Sequence, residues 1–87
     1  MDDAEFLRRL QERIEGAVGE AIELVVDHEE PGRVEVEIEG PRPRVVIGSD
    51  ALKYPGLARM FMQYAILALR LRRPPDEQEF LLFLRRN

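Results

Sequence analysis

Between positions 3 and 18 apolar residues return at intervals of three and four, so that Phe6, Leu7, Leu10, Ile14, Ala17 and Val18 fall on one stripe. That spacing predicts an amphipathic helix, with Asp2 or Asp3 available as its N-cap and Gly16 and Gly19 weakening its end. From Glu20 the period changes to two: Ile22, Leu24 and Val26 alternate with Glu23, Val25 and Asp27, which predicts a strand. Glu30-Pro31-Gly32-Arg33 has proline and glycine at the second and third positions of a type II turn, so a hairpin is expected there. The stretch RVEVEIE follows, with Val34, Val36 and Ile38 on one face and Glu35, Glu37 and Glu39 on the other. Gly40 and Pro41 make the next turn, and Arg44 to Ile47 form a third strand with Pro43 at its start. These signals predict a three-stranded antiparallel meander.

After the strands the period returns to that of a helix. Ser49 or Asp50 can cap a turn leading into YPGLARMFMQYAILALRLRR, residues 54 to 73, where Pro55 suits a first helical turn and Pro74-Pro75 prevents continuation. The tail DEQEFLLFLRRN carries acids at its start and arginines at its end, matching the helix dipole, and predicts a third helix from about Asp76 to Arg85. The expected fold is a single α+β domain over residues 1 to 87, in the order α-β-β-β-α-α.

The long helix has almost no polar side. At 100° per residue Arg59, Gln63 and Arg70 share one narrow wedge, and the other positions from Leu57 to Leu71 are apolar. Leu57, Met60, Phe61, Tyr64, Leu67 and Leu71 form one bulky face, expected to lie on the sheet, while the first or last helix can cover part of the other side. Met62, Ile66 and Leu69 form a second, separated from the first by Ala58 and Ala65. Leu81 and Leu82 likewise stand behind the Phe80, Phe83 and Leu84 side of the last helix. Small monomers rarely leave large apolar patches exposed, so Met62, Ile66, Leu69, Leu81 and Leu82 are expected to form the interface of a homodimer.

Composition narrows the chemistry. The chain has no Cys and no Thr, one Ser (Ser49) and one His (His28), which excludes disulfides and thiolate metal sites and leaves little for nucleophilic catalysis. No enzymatic activity, cofactor or small-molecule substrate is expected. The start MDDAEF is acidic where a signal peptide is basic, and the uncharged run Met60 to Leu69 is far short of the ~20 residues of a membrane span. The expectation is a cytoplasmic protein without membrane contact. Asp27-His28-Glu29-Glu30 lacks a defined metal-ligand spacing and reads as a solvated hairpin end.

Charge is polarised along the chain. Residues 1 to 50 hold 14 acids and 6 arginines, whereas residues 51 to 87 hold 7 bases and 3 acids. Arg70, Arg72, Arg73, Arg85 and Arg86 gather near two helix C-termini and are the candidate phosphate contacts, while the ladder Glu35, Glu37 and Glu39 is the candidate acidic surface.

From about residue 20 to residue 73, a charged strand, the run GRVEVEIEG, a short RVVI strand and an alanine-containing helix resemble the YbaB/EbfC family of bacterial nucleoid-associated proteins. The resemblance implies an intertwined α-β-β-β-α dimer that binds DNA; the first helix here is shorter and more acidic than the family's, and the FLLFLRRN helix is additional. The segment also looks like part of a bacterial KH domain, with Ile47-Gly48-Ser49-Asp50 standing where a G-x-x-G loop would be. The expected function is that of a small dimeric binding protein associated with nucleic acid. The alternative is an acidic protein-binding adaptor or inhibitor, similar to a nucleic-acid-mimicking phage protein or a secretion chaperone.

Overall fold

A computed structural model describes residues 2–87. Helix α1 spans Asp3–Val18; strands β1, β2 and β3 span Glu23–Asp27, Val34–Glu37 and Arg44–Gly48; helices α2 and α3 span Pro55–Leu71 and Glu77–Arg86. A 3-10 turn, Ser49–Leu52, joins β3 to α2. The chain is an α+β fold in the expected element order.

Local chemistry sets the ends of α1. The Asp2 carboxylate accepts from the Glu5 amide at 2.8 Å, satisfying a donor that the first helical turn leaves free. At the other end Gly19 adopts φ 76° and its amide donates to the Glu15 carbonyl, a left-handed cap that glycine takes without a Cβ penalty. The chain is then tied as it turns into β1: the Ile22 amide donates to the Glu15 carboxylate at 2.9 Å, and the Gln11 side-chain amide donates to the Ile22 carbonyl at 3.1 Å.

The sheet is mixed, with strand order β1-β3-β2, and this corrects the antiparallel meander. β2 pairs antiparallel to β3, but β1 pairs parallel to β3 and does not touch β2 as a strand partner. The physical reason lies in the strands themselves. β1 and β2 place acids on one face, which suits edge strands, whereas Val45, Val46, Ile47 and Gly48 of β3 are all buried, as a central strand requires. The Glu30–Arg33 turn forms, with the Arg33 amide donating to the Glu30 carbonyl at 3.1 Å, but not as the expected type II, since Gly32 does not take the positive φ that type requires. It serves as a bridge over the C-terminal end of β3, however, and closes no hairpin.

One face of the sheet carries the core. Val45 and Ile47 are fully buried there with Ile22, Leu10 and Ile14 of α1, and Ala51, Ala58, Phe61, Met62, Ala65, Ile66 and Leu69. Leu24, Val26, Val34, Val36 and Ile38 pack around this cluster. The second apolar face of α2 is covered within the chain, with Met62 and Ile66 lining one hollow together with Arg13 and Ala17 of α1. Met62, Ile66 and Leu69, placed by sequence at a dimer interface, are 4%, 6% and 2% exposed within the single chain. On the face expected to lie on the sheet, only Phe61 is fully buried, while Met60 is 44% exposed. Ala58, Ala65 and Ala68 are buried together with Phe61 as well as with Met62, Ile66 and Leu69, so α2 seats along its small side chains and both of its apolar faces reach the core.

Helix α2 ends at Arg72, a non-glycine residue in the left-handed region at φ 58°. Asp76 then caps α3 in a reciprocal box, its carboxylate accepting from the Glu79 amide at 2.8 Å while the Glu79 carboxylate accepts from the Asp76 amide at 2.9 Å. α3 returns along α2 in the opposite direction: Phe80 meets Tyr64 edge to face with ring centroids 5.5 Å apart, and Leu84 lies beside Met60 and Gly56. No helix is long and apolar enough to cross a membrane among the described residues.

Candidate functional site

The antiparallel return of α3 divides the arginines that the sequence groups together. Arg70, Arg72 and Arg73 stand at the C-terminal end of α2, while Arg85 and Arg86 are carried back towards its N-terminal half. Two of the first group are occupied. Arg72 pairs with Glu20 at 2.5 Å, and Arg73 grips Glu79 through two nitrogens at 2.8 and 2.7 Å. That grip, followed by the backbone hydrogen bond from Asp76, lowers the Glu79 carboxyl to about 2, and it raises Arg73 in return. The five arginines therefore do not form one phosphate site.

A different basic grouping lies where the three helices meet. Arg70 donates to the Ala17 carbonyl at 3.2 Å and lies over the Phe83 ring at 5.9 Å, so its guanidinium is positioned without being neutralised. It lines a hollow with Arg13 and Ala17 of α1, Met62, Gln63 and Ile66 of α2, and Phe83 and Asn87. A second hollow shares Gln63 and Asn87 and is lined in addition by Gly56, Arg59, Met60 and Leu84. No acidic side chain lines either hollow. Among the described residues Arg13, Arg59 and Arg70 have no acidic partner within ion-pair distance. The polar wedge of α2, Arg59, Gln63 and Arg70, is legible from angular spacing. Arg13 is not, because its approach depends on how α1 crosses α2.

The opposite side of the molecule is the uncovered face of the sheet, and it is predominantly acidic. Register places Glu23, Arg44 and Glu37 in one row and Val25, Val46 and Glu35 in the next. Arg33 bridges Asp27 at 2.9 Å and also binds Glu35. Asp27 is further committed to its turn, accepting from the amides of Glu29 and Glu30 at 2.9 and 3.1 Å, and these bonds, led by that from Arg33, hold its carboxyl below the usual range. The Asp27-His28-Glu29-Glu30 segment is thus a hydrogen-bonded turn, and no group of three potential metal ligands stands together among the described residues. The acids Glu35 and Glu37 are exposed as their alternation indicates.

No family model, curated protein or solved structure matches this chain.

Proposed function

We propose that this chain is a non-enzymatic binding protein that engages a polyanion, nucleic acid being the expected partner, on the side where α1, α2 and α3 meet. The observation that carries the reading is the set Arg13, Arg59 and Arg70, three cations without acidic partners around two adjoining hollows. Guanidinium groups suit phosphate oxygens, Arg70 being fixed by the Ala17 carbonyl and the Phe83 ring, and the side-chain amide of Gln63 adds a donor between them.

Fluorescence anisotropy with a labelled duplex across a salt series tests the reading. Three phosphate contacts predict a slope of about −2.7 in log affinity against log salt, and Arg13→Ala, Arg59→Ala or Arg70→Ala flattens it by about one unit each. An unchanged slope in the triple variant, or no binding at low salt, overturns it. The acidic open face of the sheet favours a second reading, an adaptor for a basic protein. That reading gains if duplex binding is absent and Glu23→Lys or Glu37→Lys abolishes capture of a basic protein probe such as histone.

A further inference from the structure

The outward positions of α3 are Glu77, Gln78, Leu81, Leu82, Arg85 and Arg86, all exposed, while Phe80 and Phe83 turn inward. Leu81 and Leu82 are 51% and 46% exposed at the middle of this series. Four residues before them stand Glu77 and Gln78, and four residues after them stand Arg85 and Arg86. The series is complementary to its own reverse. A two-fold axis passing between Leu81 and Leu82 sets the acidic end of one helix against the basic end of another and opposes the two helix dipoles. A parallel pairing would instead align like charges at both ends.

We propose that α3 is the contact of an isologous dimer. A second copy of the chain docks antiparallel on it, burying Leu81 and Leu82 against Leu81 and Leu82 of the partner subunit, with Glu77 facing the guanidinium end that carries Arg85 of the partner subunit. This dimer does not use Met62, Ile66 or Leu69, which the chain's own core consumes. The contact is small. Ten residues of helix are about 15 Å long, which gives less than the ~800 Å² per partner of a standard interface, so association is expected to be weak. The inference is independent of polyanion binding, since Arg13, Arg59 and Arg70 are not among its contacts.

Sedimentation equilibrium of the full chain from about 5 to about 500 µM, a range that covers weak association, is the test. The mass is expected to rise from 10.1 kDa towards that of a dimer with increasing concentration. Leu81→Ser with Leu82→Ser should weaken association at least tenfold while the far-UV spectrum and melting temperature hold, because both side chains are already half exposed. Glu77→Arg should also weaken it, and adding Arg85→Glu and Arg86→Glu to the same chain should restore it by exchanging the two ends. A mass fixed at 10.1 kDa throughout overturns the proposal. So does a dimer that survives the serines or ignores the charge reversal, either of which places the contact elsewhere, such as at a sheet edge.

Discussion

A methyl group on Gly48 would overlap the backbone carbonyl of Pro31, because the link between β1 and β2 crosses directly over the end of β3. The Gly48 amide donates to the Arg33 carbonyl at 2.6 Å and the Asp50 amide to the Pro31 carbonyl at 3.0 Å, so the crossing is fastened on both sides. This close approach lets β1 reach the far side of β3 and pair parallel to it.

Gly48→Ala is therefore expected to destabilise the protein by about 1–3 kcal/mol or more, the range for overpacking against a backbone that cannot retreat. Gly32, whose added Cβ would meet nothing, is the control and should tolerate alanine. Urea unfolding of the two variants checks this. Equal midpoints would mean that the link does not cross β3.

On α2, Met62→Glu should destabilise the single chain, since it puts a carboxylate at a position 4% exposed beside Ile66, itself 6% exposed. Taking a charge out of water costs several kcal/mol, offset in part because Arg13 and Arg70 line the same hollow, against a total of roughly 5–10 for a domain of this size. Met60→Glu, two residues earlier but 44% exposed, should shift stability by less than about 0.5 kcal/mol. Phe61→Ala should cost about 3–5 kcal/mol. Thermal melts of the three variants decide whether α2 presents the Met62 side or the Met60 side to the core.

The seating of α2 marks how far the sequence was legible. Helix and strand positions follow from period: α1 spans Asp3–Val18 as the three-and-four spacing of Phe6 to Val18 predicts, and Asp76 caps α3 as its acids suggest. Sheet order was written less openly, in the contrast between Val45-Val46-Ile47, apolar throughout, and RVEVEIE, apolar on one face; a strand buried on both faces belongs in the middle. The faces of α2 were ambiguous because both are rich in large residues, and the deciding signal was the alanines, which mark close approach more reliably than bulk does. Arg13 was illegible as a site residue. Its neighbours Gln63 and Ile66 are some fifty positions away and meet it only through helix packing. The Arg70–Arg73 group was legible as charge but not as pairing, since Glu20 and Glu79 lie on other elements.

Arg72 holds a left-handed conformation that glycine or asparagine normally occupies at a helix C-cap. For a residue with a Cβ this costs roughly 1–2 kcal/mol, while an exposed ion pair such as that with Glu20 contributes about 0–1. Arg72→Gly is accordingly expected to raise the melting temperature slightly, and Arg72→Ala, which loses the ion pair and keeps the strain, to lower it. Calorimetry on both variants tests the pair of signs; a destabilising glycine would show that the Glu20 contact outweighs the backbone.

Glu79 supplies the clearest pH dependence. Its carboxyl ordinarily titrates near 4.5 and in the folded chain is held at about 2, first by the two bonds from Arg73 and then by the Asp76 amide. A lowered folded value means that the native state releases this proton more readily than the unfolded chain does. Its stabilisation is therefore complete above about pH 4.5 and disappears as pH falls through about 2. Glu79→Gln retains the reach back to the Asp76 amide but abolishes the charge, so it isolates the ion pair from the cap. Melting temperatures of wild type and Glu79→Gln should differ by a constant amount from neutrality down to about pH 5, with wild type higher, and should converge on acidification towards pH 2. Asp27, lowered by Arg33 and by its own turn, remains in both proteins and moves them together, so it does not mask the convergence. A difference that persists at pH 2, or that widens as acid is added, would mean that the Arg73–Glu79 pair is not what holds the start of α3.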